Sequence, residues 1–233
     1  MIELIPFIII IVISYIPSFA WLGIVLSQDV HPEKSRDIAL AFVLGSFVAV
    51  PGVLFAIWGK EVLGAMNIIL NPIMSSFIFA ALSEELFKGI CIYYFAINTN
   101  KWDEPIDTFI YAGTLALGFA GIENLAFVLA DSMGSFESMR QLLILRSFSA
   151  VLIHIVSSFF VTYGLLFLFK KHKRVLGLMI FSAGIGVHAI WNIAVSIAQN
   201  TGILWLLSFY LIICVPLFIG VIFTVKHLRI QSQ

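Results

Sequence analysis

Seven long apolar stretches dominate this chain and constrain its fold more than any other feature. Each contains the roughly 20 mostly apolar residues that a helix needs to cross a bilayer. A chain with this pattern is predicted to be an all-α, polytopic transmembrane helical bundle. The segment 61–71 is too short to cross and is closed by Asn71-Pro72, so we expect an interfacial or re-entrant segment before the third span. The predicted spans cover about 4–27, 38–58, 73–97, 108–131, 142–169, 175–198 and 203–225.

The composition excludes the water-soluble classes of protein. Of the 233 residues, 61% are hydrophobic and only 11% are charged, less than half the roughly 25% typical of a soluble domain. Thirteen basic residues balance thirteen acidic ones, so there is no basic field to attract nucleic acid. No linker or repeat divides the chain, so we expect a single integral membrane domain over 1–233 in contact with the lipid bilayer.

The loops predict an orientation in the cell membrane. Nine Lys and Arg residues lie in the loops on one side and in the C-terminal tail, against two on the other side. Because cytoplasmic loops contain the excess of basic residues, we expect the C-terminus in the cytoplasm and the N-terminus outside. The densest basic group comprises Lys170, Lys171, Lys173 and Arg174.

Ionisable side chains within four successive spans indicate where the function lies. Each charged residue near the centre of a bilayer costs about 3 kcal/mol on insertion scales, so accident is a poor explanation for several together. Their similar depth predicts that the side chains surround one hydrated cavity. Small residues of the fourth span would let a neighbouring helix approach closely beside Glu123. The ionisable residues are Glu84, Glu85 and Lys88 in the third span, Glu123 in the fourth, His154 in the fifth and His188 in the sixth.

Lys88 needs a carboxylate partner. It lies about 13 Å from the end of its span at 1.5 Å per residue, too far for its side chain to reach the interface. Glu84 lies four residues before Lys88 and Glu85 three before it, so either can pair with it on a helix. One carboxylate would be held ionised by Lys88, which leaves the other for general base chemistry.

Each feature taken alone has a structural interpretation. A single buried histidine is more often a hydrogen-bonded core residue, and a Glu–Lys pair one turn apart is usually a salt bridge. Arg146, four residues inside its span, is interpreted as an anchor whose side chain reaches the interface. Three carboxylates, two imidazoles and the amide of Asn192 at matching depth nevertheless favour a functional site.

Three short motifs occur in a specific order along the chain. They are Glu84-Glu85-Leu86-Phe87-Lys88 as Glu-Glu-x-x-Lys, Phe119-Ala120-Gly121-Ile122-Glu123-Asn124 as Phe-x-x-x-Glu-Asn, and His188 to Asn192 as His-x-x-x-Asn. An acidic loop, Trp102 to Asp107, precedes the fourth span. In this order and spacing the motifs resemble those of the PrsW-type intramembrane proteases, within the superfamily of CAAX-type prenyl proteases. The motif-bearing core would cover 72–198.

The resemblance implies hydrolysis of a peptide bond in a membrane-anchored protein substrate, such as an anti-sigma factor. Amide hydrolysis needs an activated water, a general base and a group that stabilises the oxyanion. Glu84 or Glu85 would be the base, with Glu84 preferred because it opens the motif. His154 would orient the water, and His188 with Asn192 would donate to the oxyanion. The candidate catalytic residues are Glu84, Glu85, Lys88, Glu123, Asn124, His154, His188 and Asn192.

Two chemistries and two rival functions stay open at this point. Glu123, His154 and His188 form a two-histidine, one-carboxylate set suited to zinc, which would acidify the water. No His-Glu-x-x-His helix is present, so a metal-free mechanism stands beside the metal-dependent one. One rival is an ion- or proton-coupled transporter that uses the same cluster as relays. The other is a non-catalytic binding or scaffold protein for other membrane proteins, in which these residues only stabilise the bundle. Paired broken helices in two halves, typical of many carriers, do not recur in the sequence.

Overall fold

The computed structural model describes residues 4–68, 70–71, 74–75, 77–99, 101–130, 136–201 and 215–231. Every regular element in these residues is helical, which confirms the predicted all-α class. Two π-helical turns, Phe77–Leu82 and Tyr93–Ile97, flank the third α-helix. The α-helices are α1 Leu4–Leu26, α2 Ser35–Ala65, α3 Ser83–Ile92, α4 Asp107–Ala130, α5 Phe136–Ser147, α6 Ala150–Phe169, α7 Arg174–Thr201 and α8 Val215–Gln231.

Five helical segments among the described residues are long and apolar enough to cross a membrane. The predicted third span is also helical from 77 to 97, but its two π-helical turns interrupt the regular α-helix. The first part of the predicted seventh span, 203–225, falls on residues 202–214 and so lies outside the described residues. The five segments are Phe7–Leu26, Ser35–Ala65, Asp107–Ala130, Met139–Phe169 and Arg174–Val195.

Two helix boundaries differ from those predicted. Helix α2 continues to Ala65 instead of ending near 58, because nothing in the sequence after Pro51 breaks the helix before the turn at Asn67, whose φ is 56°. The predicted fifth span is broken at residues 148–149, between α5 and α6. The break begins two residues after Arg146.

Helix α4 is the central element of the bundle, and its small residues let α2 pack directly against its backbone. A Cβ atom on Gly118 would collide with the carbonyl of Phe42 on α2, and one on Gly45 would collide with the carbonyl of Leu115. Gly121 faces the ring of Tyr15 on α1 in the same way. The predicted close approach beside Glu123 is therefore confirmed, and it depends on residues that lack a side chain.

Helices α6 and α7 form the most extensive helix pair, and glycines again bring the backbones together. A Cβ atom on Gly164 would lie 2.6 Å from the backbone nitrogen of Phe181, and one on Gly184 would lie 2.7 Å from the carbonyl oxygen of Ser157. This contact places His154 on α6 beside His188 on α7, with their ring centroids 4.9 Å apart.

Candidate active site

Helix α3 holds the two adjacent glutamates and Lys88, and a π-helical turn leads into it. The hydroxyl of Ser83, the first residue of α3, donates to the carbonyl of Phe79, 2.9 Å away. π-helical turns, whose backbone hydrogen bonds join residues i and i+5, are rare and occur often at functional sites. The interruption lies directly before Glu84, so it helps to set the direction in which this side chain points.

A cavity of about 380 Å³ lies between α2, α3, α4, α6 and α7. Its polar lining contains four of the ionisable residues that were predicted to converge, so the prediction of one shared cavity is confirmed. Phe79, Phe127 and Trp191 form part of its apolar wall. The polar lining consists of Lys60, Glu84, Glu123, Arg146, His154, His188 and Asn192.

Glu85 is fully buried, and its carboxylate is saturated with donors. Lys88 Nζ lies 2.5 Å from Oε1, which identifies Glu85 as the carboxylate that Lys88 neutralises. His188 Nδ1 lies 2.7 Å from the same oxygen. The hydroxyls of Ser157 and Ser158 donate to Oε1 and Oε2 at 2.9 and 3.4 Å. A carboxylate held in this way is an anchor for its neighbours rather than a group free to accept another proton.

Glu84 points into the cavity and has the opposite environment. Its Oε2 is buried and has no hydrogen-bond partner within the described part of the chain. The nearest imidazole nitrogen, His188 Nε2, lies 3.7 Å away, which is too long for a direct hydrogen bond. Lys88 and Arg146 neutralise Glu85 and Glu123. Glu84 pairs with neither of these two cations, so it is the carboxylate left available for chemistry.

His154 connects the two ion pairs. Its Nδ1 lies 3.2 Å from Lys88 Nζ, and its Nε2 lies 2.7 Å from Glu123 Oε2. An ammonium can only donate and a carboxylate can only accept. The neutral ring therefore accepts at Nδ1 and donates at Nε2, and both of its nitrogens are occupied.

His188 has the opposite arrangement of its two ring nitrogens. The Glu85 carboxylate accepts a hydrogen bond from Nδ1. A neutral His188 then has its lone pair on Nε2, the atom that faces Glu84. This geometry favours an acceptor or ligand role for His188 Nε2 over donation to an oxyanion.

Arg146 does not reach the interface, and the interpretation of this residue as an anchor is wrong. It is 9% exposed, and it donates from Nε to Asn124 Oδ1 and from Nη2 to Glu123 Oε2, both at 2.7 Å. Its guanidinium also lies 4.0 Å from the ring centroid of Phe127. The side chain instead reaches inwards to Glu123 and Asn124 on α4.

Asn124 lies behind the cavity rather than on its wall. Its Oδ1 accepts from Arg146, and its Nδ2 donates to the carbonyl of Ser14 on α1, 3.3 Å away. The two polar residues of the second motif therefore have different roles. Glu123 faces the cavity, whereas Asn124 positions the arginine that neutralises Glu123.

Besides Arg146, the site includes three residues that were not among the candidates predicted from the sequence. Ser157 and Ser158 bind Glu85, and Lys60 lines the cavity from α2. Ser158 follows His154 by four residues, so helical spacing places them on one face. Ser157 and Lys60 have no such indication in the sequence, because each meets the rest of the site only through the packing of different helices.

A metal ion would find suitable donors in this cavity. One ligand atom each of Glu84, His154 and His188 lies within 4.8 Å of the others, and two imidazoles with a carboxylate are a typical zinc set. The partnerless Glu84 Oε2 and the Glu85 carboxylate behind His188 fit that role. His154 would first have to exchange one of its hydrogen bonds, because Lys88 and Glu123 occupy its nitrogens.

The chain matches a family model and several curated relatives. The model, described as the PrsW family intramembrane metalloprotease, matches residues 33–221, a range that includes every candidate site residue. Protease PrsW of Geobacillus kaustophilus is 32% identical over 117 residues, which cover 50% of this chain and 51% of that protein. Protease PrsW of Clostridioides difficile is 32% identical over 94 residues, 39% of this chain and 38% of the relative.

A more distant relative has the same description. Protease PrsW of Halalkalibacterium halodurans is 24% identical over 108 residues, 46% of this chain and 48% of that protein. The chain thus spans about half the length of the curated relatives it matches. No solved structure matches it.

Proposed function

This chain belongs to the PrsW family of intramembrane metalloproteases, and from this premise we propose that it hydrolyses a peptide bond of a membrane-anchored protein. The observation that supports this proposal best is the contrast between the two adjacent glutamates. Glu85 is fully occupied by Lys88, His188 and serine hydroxyls. Glu84 presents a buried oxygen without a partner to the cavity.

Glu84 is the general base of the proposed reaction. The 3.7 Å gap between Glu84 Oε2 and His188 Nε2 is one that a water molecule can bridge, since polar groups beyond direct reach are often linked in this way. Such a water would donate one proton towards Glu84 and the other to the lone pair of His188. Its oxygen would then attack the peptide carbonyl as Glu84 takes the proton, a role worth about 10²–10⁴-fold in rate.

The developing negative charge on the peptide oxygen needs donors within the same cavity. Asn192 follows His188 by one helical turn and lines the cavity, so its amide can donate to that oxygen. Glu84, once protonated, is the acid that returns the proton to the leaving amine. Lys88, Arg146 and Asn124 act indirectly, because they fix the carboxylates and His154.

In the metal-dependent alternative, Glu84, His154 and His188 would instead hold a metal ion, with zinc as the candidate that suits the donor types, and Glu84 would then be a ligand rather than the base. This set replaces Glu123 of the sequence-based proposal by Glu84, because Glu123 is neutralised by Arg146. A metal held there would supply Lewis acidity to the reacting groups. Glu85, behind His188, would keep the ring oriented with Nε2 towards the cavity.

The substrate is a membrane-anchored segment that enters the cavity in extended form. The apolar wall of Phe79, Phe127 and Trp191 suits hydrophobic side chains of such a segment, and the cavity volume of about 380 Å³ lies in the range of binding pockets. A regulator such as an anti-sigma factor is the substrate class that the family resemblance implies.

Cleavage of a single-span model substrate by the purified full chain in proteoliposomes tests the proposed function. We expect the wild-type chain to cut the substrate at a site that mass spectrometry locates within or next to its span. Glu84→Gln should abolish the cut, while Glu137→Gln, which alters an exposed carboxylate paired with Arg140, should cut like the wild type. Cleavage that persists in correctly inserted Glu84→Gln would contradict the proposal and favour the transporter.

Metal dependence is measured in the same assay. If a metal is held by the proposed set, a chelator should stop cleavage, and metal analysis should find about one ion per chain in the wild type and much less in His188→Ala. Undiminished cleavage by chelated, metal-free protein would support the mechanism in which Glu84 and His188 activate water by themselves.

A further inference from the structure

Three carboxylates meet at the end of α4 that lies farthest from the cavity. Glu33 lies in the loop between α1 and α2, Asp103 in the loop before α4, and Asp107 is the first residue of α4. One oxygen of each lies within 4.8 Å of the other two. Asp107 and Glu123 are sixteen positions apart on α4, about 24 Å at ~1.5 Å per residue, so this acidic cluster is separate from the candidate active site.

Two basic side chains near the cluster contact other carboxylates. Lys101 Nζ pairs with Asp37 at 2.8 Å, and His31 Nδ1 lies 2.5 Å from Glu104. No ion pair is formed by the three clustered carboxylates within the described residues. Asp107, which is 2% exposed, uses Oδ2 to accept the backbone N–H groups of Asp103 and Glu104. These two hydrogen bonds hold the Asp107 carboxylate in place.

Tyr111 provides an independent indication of a ligand. It follows Asp107 by one helical turn, so both lie on the same face of α4, and its hydroxyl faces Glu33. The side chain is 1% exposed and the hydroxyl has no hydrogen-bond partner in the described structure. A buried hydroxyl without a partner costs about 1–3 kcal/mol, a penalty that a bound ion with its water would remove.

The electrostatics of Glu33 agree with a deficit of positive charge. Burial raises the pKa of Glu33, the nearby Tyr111 hydroxyl lowers it, and the carboxylates of Asp103, Asp29 and Asp37 raise it again, so that the pKa lies above its ordinary value. Ionising all three clustered groups is therefore unfavourable unless a cation accompanies them.

We propose that Glu33, Asp103 and Asp107 bind a hard divalent cation, Ca²⁺ or Mg²⁺, with the hydroxyl of Tyr111 beside it. The donors are all oxygen, which suits these ions and not zinc. Asp103 is exposed, so it gives the ion access to water for its remaining ligands. Since Glu33 precedes α2 and Asp107 begins α4, the ion would tie together the ends of the two helices that pack through Gly45 and Gly118.

Thermal unfolding and calorimetric titration of the purified full chain in detergent test this site. With CaCl₂ or MgCl₂ added to chelator-treated protein, we expect a saturable rise in Tm and about one ion bound per chain. Glu33→Gln and Asp103→Asn should each weaken the affinity at least 10-fold. Glu137→Gln, an exposed carboxylate elsewhere, is the matched control and should bind like the wild type.

Two further measurements make the outcome decisive. In chelator, Glu33→Gln should unfold at the same or a higher temperature than the wild type, because it removes repulsion; this shows that the variant is folded. His188→Ala should keep the Ca²⁺ or Mg²⁺ response, which separates this site from the cavity. The absence of a saturable response, or equal affinity in wild type, Glu33→Gln and Asp103→Asn, would overturn the proposal.

Discussion

Glu84 and Glu85 adjoin in the chain, but their carboxylates lie in opposite environments. Successive residues of a helix differ in direction by about 100°, so α3 turns Glu85 towards α6 and α7 and Glu84 towards the cavity. Burial of Glu85 is tolerable because Lys88, His188 and Ser157 all donate to it. The same residue type, glutamate, thus has a proposed chemical role at position 84 and a structural role at position 85.

Exchanging each glutamate for glutamine should separate the two roles. Glu85→Gln leaves the buried ammonium of Lys88 without its carboxylate, so we expect a loss of about 3–5 kcal/mol in the free energy of unfolding. Glu84→Gln removes a proton acceptor that no donor contacts, so the melting temperature should change little while turnover falls by about 10²-fold or more. Thermal unfolding and cleavage assays on the same preparations measure both effects, and similar melting temperatures for the two variants would refute the assignment.

Arg146 demonstrates that a single arginine can organise one wall of the cavity. It binds Glu123 and Asn124, and Glu123 in turn binds His154. Without the guanidinium, the Glu123 carboxylate would have only the imidazole as a partner among the described residues.

Replacing this arginine should therefore destabilise the bundle, and α5 offers a matched control. We expect Arg146→Gln to lower the free energy of unfolding by on the order of 3 kcal/mol, because it leaves a largely buried carboxylate without its cation. Arg140→Gln on the same helix removes an exposed pair with Glu137 and should change stability by less than about 0.5 kcal/mol. Equal unfolding temperatures for the two variants would contradict the structural role of Arg146.

Among the helices, the contact between α6 and α7 matters most for the site. It joins the two histidines, and its closeness depends on Gly164 and Gly184. Ser157, whose carbonyl lies against Gly184, also donates its hydroxyl to Glu85. Any displacement of α7 would therefore change both the helix packing and the hydrogen bonds that hold Glu85.

A side chain at Gly184 should disturb the site, whereas one at Gly186 should not. A Cβ at position 184 would lie 2.7 Å from a backbone oxygen, while position 186 has no atom within 4 Å. We expect Gly184→Val to cost about 1–3 kcal/mol from overpacking and to reduce cleavage. Gly186→Val on the same helix should keep both the stability and the cleavage activity near the wild-type level. Thermal unfolding and cleavage assays compare the pair; an undisturbed Gly184→Val variant would show that the helices can separate without penalty.

Considered as a whole, the molecule surrounds a polar network with an apolar exterior. Residues of α3, α4, α5, α6 and α7 meet in the linked contacts of Glu85, Lys88, His154, Glu123, Arg146 and His188. Large apolar side chains such as Phe47, Leu54 and Trp58 are exposed on the outside, where lipid would cover them. This arrangement suits a bilayer, in which unpaired polar groups can only be satisfied inside the bundle.

The orientation in the membrane remains a prediction that labelling can test. The excess of basic residues in one set of loops places Lys171, between α6 and α7, in the cytoplasm, and Glu137, at the start of α5, outside. In a chain with Cys91 and Cys214 replaced by serine, Glu137→Cys should react with a membrane-impermeant maleimide in intact cells. Lys171→Cys should react only after lysis. The reverse pattern would invert the topology.

The helical class and the candidate residues were evident in the sequence, because both depend on local properties. A run of about 20 apolar residues is a helix wherever it crosses lipid, and an ionisable residue within such a run is costly enough to indicate a purpose. The convergence of Glu84, Glu123, His154 and His188 on one cavity followed from that cost and is confirmed by the cavity lining.

Only the tertiary structure decided which groups pair. Both glutamates are within helical reach of Lys88, and Glu85 is the partner because Ser157 and His188 from other helices complete its hydrogen bonds. Neither the break after α5 nor the π-helical turn before Glu84 has a periodic pattern that predicts it, and the inward pairing of Arg146 depends on Glu123 of another helix. Partner choice in a bundle depends on donors that are distant in sequence, so local spacing can limit the alternatives but cannot select among them.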